Sequence, residues 1–207
     1  MSSATDKIVI KRDLFYVSHL DPLSEDDLSC VESFLINRDT GNGLLNYLKY
    51  GALKDELSHE MRTYLVKDIN TNECVSFFSL KAGLISINEK VHEVNAETES
   101  FQKDFDTIPG IELANFAINS AYIKNHPKLK GIGKYIFGAF ILPLARHISG
   151  LIGVKLIYIF ALPYDELIKR YRTYGFNTLS DDAENKLHKR LKPRYDRFCR
   201  FMYMLLY

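Results

Sequence analysis

The chain has 207 residues, of which 46% are hydrophobic and 26% are charged, and its formal net charge is +1. This length and apolar content suit one α/β domain with a substantial core, expected over residues 1–207, and argue against a second domain. No run approaches the roughly twenty apolar residues of a membrane span, and the N-terminus lacks signal- and transit-peptide features, so no membrane association is expected.

Periodicity and turn residues predict a regular series of elements in the first half of the chain. They are a strand at 8–10, a helix that begins near Ser24, a turn at 39–43, an amphipathic helix over 44–57, and strands at 62–66 and 74–80 around a hairpin turn at 70–73. The acidic stretch 89–106 has few apolar residues. We expect it to be a solvated loop between strands.

A glycine-rich segment follows the next predicted strand, at 112–118. It reads Lys128-Leu129-Lys130-Gly131-Ile132-Gly133-Lys134 and leads into a helical pattern over 133–150. Glycines let the main chain approach a phosphate, and the amide groups that open a helix point outward with the positive end of its dipole. The three lysines add countercharge, so the segment predicts a phosphate-binding loop, although many surface turns of this composition bind nothing.

The chain after this helix predicts another buried strand at 155–161, which completes a βαβ unit around the loop. Asp165 is then expected to cap the following helix, with acidic residues in its first turn. Gly175-Phe176 leads into a further strand, and residues 198–207 form the last one. Fold class is therefore α/β of the α+β type: a central mixed, mostly antiparallel sheet flanked by helices.

The three cysteines, Cys30, Cys74 and Cys199, are far apart in the sequence and lack the CxxC or Cys/His spacing of a metal site. No metal is expected, and a reducing cytoplasm is the simplest location.

Charge is distributed unevenly along the chain. Residues 1–123 hold 11 basic and 20 acidic side chains, whereas residues 124–207 hold 16 and 6, giving net charges of −9 and +10. A basic half suits an anionic cofactor and a polyanionic partner such as RNA. A solvated surface that balances the acidic half explains the same pattern, and both interpretations stay open.

The segment from about 108 to 176 resembles the cofactor-binding core of the GNAT superfamily of N-acetyltransferases. Lys128-x-x-Gly131-x-Gly133 is similar to the family loop Arg/Gln-x-x-Gly-x-Gly/Ala, and Tyr171 stands four residues before Gly175-Phe176, as in the second family motif. Lys128 departs conservatively at the first position. Residues 123–127 look inserted between the strand and the loop.

The resemblance implies the GNAT fold and acetyl-CoA as cosubstrate. In that case residues 128–134 hold the pyrophosphate, and Phe116 and Ile118 offer main-chain groups to the pantetheine arm. Tyr171 acts as the general acid that protonates the departing thiolate. The competing interpretation is that Tyr171 and Tyr174 pack a helix against the sheet. Strand alternation places Glu112, Ala114, Phe116 and Ile118 on one face of the strand. Glu112 is a candidate base, and the competing interpretation is an exposed structural glutamate at a strand start. Many family members place an asparagine near the cofactor after the strand that corresponds to 155–161. This chain has Leu162-Pro163-Tyr164-Asp165-Glu166 there, so no such role is assigned.

The implied activity is transfer of an acetyl group to a primary amine by direct attack in a ternary complex. Two alternatives stay open: a noncatalytic module that binds acyl-CoA, and a toxin that acetylates aminoacyl-tRNA. The toxin alternative rests on a looser similarity of residues 48–55, 62–66, 77–80 and 108–109 to such toxins. Under it tRNA is a partner. Whether the chain forms a homodimer is left open.

Overall fold

A computed structural model describes residues 9–86, 107–191 and 198–207. The predicted loop at 89–106 lies outside the described residues. The strands are β1 (Val9–Lys11), β2 (Phe15–His19), β3 (Arg62–Asp68), β4 (Cys74–Ser86), β5 (Thr107–Ile118), β6 (Leu156–Ala161), β7 (Asn177–Thr178) and β8 (Arg200–Leu205). Their order in the sheet is β1-β2-β3-β4-β5-β6-β8-β7.

Most of the recorded strand pairs are antiparallel, and the exception is the parallel pair of β5 with β6. The predicted mixed, mostly antiparallel sheet is therefore confirmed. Strand β2 escaped prediction, although Phe15 and Val17 are buried and Tyr16 between them is half-buried. Strand β4 also runs six residues beyond its predicted end at Leu80.

Each helix that the sequence predicts is present close to its predicted position. They are α1 (Glu25–Ser33), α2 (Asn42–Asn46), α3 (Ala52–Ser58), α4 (Ser120–Asn125), α5 (Ile132–Ile136), α6 (Leu142–Ile152), α7 (Asp165–Tyr174) and α8 (Asp181–Arg190). One π-helical segment, Tyr47–Gly51, joins α2 to α3, and another, Phe137–Ile141, joins α5 to α6. Helix α8 was not predicted, although Ser180 caps it and acidic residues fill its first turn.

The chain divides into two compact units. The N-terminal unit comprises residues 1–81 and 113–144, and the C-terminal unit comprises residues 82–112 and 145–207. The single domain over residues 1–207 stays a prediction.

The N-terminal unit packs its first helices on the sheet. Phe34 of the segment after α1 meets Phe77 of β4 edge to face, with ring centroids 5.2 Å apart, and Leu48, Ala52 and Leu65 complete this fully buried cluster. The π-helical segment thus places an apolar stripe against β3 and β4, as the periodicity of residues 44–57 predicted.

A disulfide joins Cys30 of α1 to Cys74 at the start of β4, with the two Cα atoms 5.3 Å apart. This contradicts the expectation of three separate, reduced cysteines. Residues 44 positions apart in sequence meet because α1 packs across the hairpin that β3 and β4 form. Cys199 is buried and free. The cytoplasmic location stays a prediction.

The C-terminal unit is built around aromatic rings. Tyr158, Phe160 and Phe201 lie with ring centroids 5.6–5.9 Å apart, and Ala183 and Leu187 of α8 pack against them. Burial of large rings in offset or edge-to-face contact contributes both area and geometry to this core.

The continuous helix Ile132–Ile152 has 21 residues and is long and apolar enough to cross a membrane by length and composition. The expectation that no run approaches such a span is therefore wrong. A single helix of this kind is weak evidence for a membrane, because core helices of soluble proteins share the same length and composition.

Candidate functional site

The predicted phosphate loop ends where a helix begins. Gly131 is the N-cap residue of α5 and adopts a left-handed conformation, with φ 71° and ψ 16°. Such a φ favours glycine, because a Cβ clashes with the backbone there. Helix α5 then starts at Ile132, one residue before the predicted start at Gly133.

No side chain caps this helix end. The first amide groups of any α-helix lack a partner within the helix, and a left-handed residue followed by helical residues aims such amides into a shared concavity. The three predicted lysines, Lys128, Lys130 and Lys134, are exposed around it. The segment can therefore present unpaired N–H donors and positive charge to an anion.

Strand β5 presents Glu112, Ala114, Phe116 and Ile118 on one half-buried face, as strand alternation predicted. The recorded pairing of β5 with β6 covers Gly110–Glu112 against residues 156–158. Phe116 and Ile118 lie beyond the last pair, so their main-chain groups are not used in that pairing.

Glu112 lies within the strand and is half-buried, so the alternative of an exposed glutamate at a strand start is wrong. The Tyr158 hydroxyl donates a hydrogen bond to Glu112 Oε2 at 3.2 Å. Burial, and then the Glu112 carboxylate, raise the pKa of Tyr158 far above its usual value. Tyr158 therefore stays protonated and holds the carboxylate in a fixed orientation.

Tyr171 lies in the second turn of α7, and the glycine of its motif ends that helix. Gly175 is left-handed, with φ 104°, and the Phe176 N–H donates to the Tyr171 carbonyl at 3.1 Å. Phe176 is 2% exposed and anchors the chain in the core. The Gly-Phe pair therefore has a structural reason: it stops α7 and fixes the turn that carries Tyr171.

The Tyr171 ring contacts Tyr174 and Phe176 edge to face, with centroids 5.7 and 5.6 Å apart. Burial, and then the neighbouring Tyr174, raise the pKa of Tyr171 far above its usual value. The phenol is thus neutral at physiological pH and can donate a proton, as a general acid requires. Both tyrosines also pack, so the packing interpretation and the catalytic one describe the same position.

Asp165 does not cap α7. Tyr164 is the N-cap residue and makes no side-chain capping bond, while Asp165 and Glu166 occupy the first turn. Acidic residues there still stabilise the helix through its dipole. The prediction of an acidic first turn is confirmed, and the capping role is wrong.

Residues 123–125 of the segment that looked inserted form the end of helix α4, and His126 and Pro127 follow that helix. Asn119 caps it: its side-chain oxygen accepts from the Ala121 N–H at 3.0 Å and from the Leu35 N–H at 3.2 Å. Its side-chain amide donates to the Cys74 carbonyl at 2.8 Å. Asn119 followed by Ser120 is a helix-start signal that could have identified α4 from the sequence.

Sequence reasoning missed a polar cluster between α4 and the end of β3. The Tyr122 hydroxyl donates to Asp68 Oδ2 at 2.6 Å, and the Tyr122 and His126 rings stack with centroids 4.1 Å apart. Single residues of these types carry no spacing pattern, so only the fold brings them together.

The residues proposed for cofactor binding lie in the N-terminal unit, whereas Glu112 and Tyr171 lie in the C-terminal unit. Within residues 9–86, 107–191 and 198–207, no group of three or more His, Cys, Asp or Glu side chains is placed to hold a metal ion.

The sequence matches no protein-family model and no curated protein. Its structure resembles a tyrosine-to-phenylalanine mutant of the toxin AtaT bound to the C-terminus of the antitoxin AtaR and acetyl-CoA, with a TM-score of 0.60, 14% identity, and 94% of each chain covered. A tyrosine-to-phenylalanine mutant of KacT gives a TM-score of 0.63 at 13% identity, covering 94% of this chain and 96% of that one.

A third similar structure is AtaT complexed with acetyl-methionyl-tRNAfMet, with a TM-score of 0.61, 14% identity, and coverage of 90% of this chain and 93% of that one. These similarities extend over nearly the whole chain. The chain therefore has the GNAT fold, and this prediction is confirmed.

Proposed function

We propose that this protein is an acetyl-CoA-dependent N-acetyltransferase that transfers an acetyl group to a primary amine. The observation that carries the proposal is the uncapped helix start after left-handed Gly131, with three exposed lysines around it. The similarity to AtaT bound to acetyl-CoA supports the same cosubstrate. A pyrophosphate offers the negative charge and acceptor oxygens that such a helix start binds.

Residues 128–134 hold the pyrophosphate through main-chain N–H groups and lysine charge. The main-chain groups of Phe116 and Ile118, which lie beyond the pairing of β5 with β6, bind the amide groups of the pantetheine arm. Their side chains matter little for this role.

The reaction is a direct attack in a ternary complex. The amine nitrogen bonds to the thioester carbonyl carbon, the C–S bond breaks, and the sulfur leaves with the bonding electron pair. Tyr171 gives its phenolic proton to this thiolate, and Glu112, oriented by Tyr158, accepts a proton from the amine directly or through water. The covalent balance is an amide and a free thiol from an amine and a thioester.

An aminoacyl-tRNA is the second candidate acceptor, and the observations favour it over a free small amine in two respects. The chain has the fold of AtaT, one structure of which holds acetyl-methionyl-tRNAfMet. Residues 124–207 also carry 16 basic against 6 acidic side chains, which suits a polyanion. We keep a noncatalytic acyl-CoA-binding module as the alternative from another class.

The test uses a matched pair of glycine variants and calorimetric titration with acetyl-CoA. Gly131 and Gly153 both have a left-handed φ, 71° and 69°, and neither has an atom within 4 Å of an added Cβ. Gly131→Ala and Gly153→Ala therefore cost a similar stability, about 1 kcal/mol, for backbone strain. Only Gly131→Ala shifts the loop amides, so we expect it alone to weaken acetyl-CoA binding, by about tenfold or more.

Release of free thiol from acetyl-CoA is then followed with polyamines, amino acids, peptides and charged tRNA as acceptors. Wild-type protein that does not bind acetyl-CoA contradicts the proposal. Binding without thiol release on any acceptor favours the noncatalytic module. Growth arrest on expression, relieved by Tyr171→Phe, supports the aminoacyl-tRNA acceptor.

A further inference from the structure

A cavity of about 450 Å³ lies beside the phosphate loop, within the N-terminal unit. It is lined by Leu14 and Phe15 at the start of β2, by Asp68 at the end of β3, by Tyr122 of α4 and by residues 125–129. This volume, with mostly apolar and aromatic walls and few polar groups, is typical of a small-molecule site.

Aromatic rings give the cavity flat surfaces. Phe15 meets Tyr122 edge to face at 6.2 Å, and His126 stacks on Tyr122 at 4.1 Å. The Tyr122 side chain is 2% exposed, whereas a third of the His126 side chain is accessible. His126 therefore extends a rigid stack and leaves a ring surface on which a planar heteroaromatic group can lie.

The Asp68 carboxylate is a fixed hydrogen-bond acceptor that lines the cavity. Burial acts to raise the pKa of Asp68, but hydrogen bonds from the Tyr122 hydroxyl and from the Asn70 and Thr71 N–H groups outweigh it and lower that pKa. The carboxylate is thus ionised at neutral pH. It has about four acceptor positions, and the three recorded donors leave room for an exocyclic amine or a sugar hydroxyl.

Positive charge lies at the rim. Lys128 is exposed, lines the cavity and is also the first residue of the phosphate loop. His126 Nε2 lies 3.4 Å from a Glu73 carboxylate oxygen. A ligand whose phosphates contact residues 128–134 can therefore extend directly into the cavity, because Lys128 belongs to both the phosphate loop and the cavity lining.

We propose that this cavity, built by helix α4 and the turn after it, binds the adenosine 3′-phosphate end of coenzyme A. Adenine stacks on His126, Asp68 accepts from the adenine amine or the ribose, and Lys128 pairs with the 3′-phosphate. The inference rests on the proposed function and assigns to the inserted segment a role in cosubstrate selection.

The first experiment titrates the full chain with coenzyme A, dephospho-coenzyme A and 4′-phosphopantetheine by calorimetry. Dephospho-coenzyme A lacks only the 3′-phosphate, whereas 4′-phosphopantetheine lacks the adenosine, the 3′-phosphate and one phosphate of the pyrophosphate. We expect wild type to bind coenzyme A about 10- to 100-fold more tightly than dephospho-coenzyme A, as loss of a charge-assisted contact predicts.

The second experiment fills the cavity. Leu14→Trp places a large ring in its wall without altering the loop, and Leu23→Trp is the control, since Leu23 is 86% exposed and lies outside the cavity. We expect Leu14→Trp to weaken coenzyme A binding at least tenfold while 4′-phosphopantetheine binds as before. Leu23→Trp binds all three probes as wild type does.

A third variant tests the stack. His126→Ala removes the exposed ring, and His147→Ala removes an exposed histidine from α6. We expect only His126→Ala to weaken both adenosine-containing probes, by about fivefold or more given the strength of base–aromatic stacking.

Failure of the adenosine-site proposal and failure of the acetyltransferase proposal give different binding results. Wild type that binds coenzyme A and dephospho-coenzyme A equally, with Leu14→Trp binding unchanged, overturns the adenosine site and leaves the acetyltransferase intact. No binding of any probe overturns both. Should thermal unfolding show that Leu14→Trp does not fold, the comparison of probes on wild type and His126→Ala decides the question.

Discussion

The two units of the molecule bury different kinds of side chain. The N-terminal unit encloses paired charges: Lys67 Nζ lies 2.7 Å from Asp27 Oδ1, with both side chains at most 3% exposed. The core cluster of the C-terminal unit is instead dominated by rings, with Tyr158 and Phe201 centroids 5.6 Å apart. Buried ion pairs favour one packing of the elements because they require set distances between charged groups. Aromatic rings favour one packing because their faces and edges must fit together.

The N-terminal unit has a second buried carboxylate that follows the same rule. Glu56 is 5% exposed and accepts from His19, from Arg62 and from the Thr63 main-chain N–H. These bonds satisfy the carboxylate and tie α3 to β2 and β3. Among the described residues, the C-terminal unit also buries one such carboxylate, Glu184 of α8, which accepts from the Phe201 main-chain N–H and lies 2.8 Å from Arg200 Nε. The units therefore differ in how many polar groups organise the interior.

The variant with the largest expected effect tests whether the C-terminal unit, with its aromatic core, also holds a catalytic residue. Tyr171→Phe removes the proton donor, so we expect the turnover number for thiol release to fall about 10²- to 10⁴-fold while acetyl-CoA affinity is kept. Tyr174→Phe is the matched control, because it removes a hydroxyl from a half-buried ring in the same helix. Equal turnover by both variants and wild type would reduce Tyr171 to a packing residue.

Some parts of the fold could be predicted from the sequence because a single stretch of chain determines them. The βαβ unit around Gly131, the β3–β4 hairpin and the Gly175-Phe176 turn follow from local chemistry: glycine conformations, turn residues and apolar periodicity. The face of β5 that carries Glu112 follows from strand alternation alone. Local rules suffice wherever one stretch of chain determines its own shape.

Contacts between distant residues could not be predicted in the same way. Lys67 and Asp27 are 40 positions apart, and a strand lysine is usually expected to be exposed. The Cys30–Cys74 disulfide and the Tyr122–Asp68 hydrogen bond depend likewise on how α1 and α4 pack on the sheet. The two helices that were not predicted, α4 and α8, do have a local signal in their capping residues, Asn119 and Ser180.

The next prediction compares a buried with an exposed ion pair. Lys67→Met leaves Asp27 buried without its cation, so we expect the free energy of unfolding to fall by about 3–5 kcal/mol. Lys186→Met breaks the exposed i,i+4 pair with Asp182 in α8, 2.6 Å in length, and should change it by no more than about 0.5 kcal/mol.

Urea denaturation followed by far-UV circular dichroism measures both variants. Adding Asp27→Leu to Lys67→Met should recover part of the loss, because no charge is then left unpaired. Similar destabilisation by Lys67→Met and Lys186→Met would contradict the claim that the buried Lys67–Asp27 pair organises the N-terminal interior.

The smallest effect concerns the covalent link, which only the N-terminal unit has among the described residues. Cys30→Ser with Cys74→Ser opens a loop of 44 residues in the unfolded chain, and we expect the free energy of unfolding to fall by about 2–4 kcal/mol. Dithiothreitol should lower the stability of wild type by a similar amount and leave the double variant unchanged. Cys199→Ala in the C-terminal unit is the control and should keep the full response to reductant. If wild type is equally stable with and without reductant, the link does not contribute to the stability of α1 on the sheet, and the paired charges alone organise that interior.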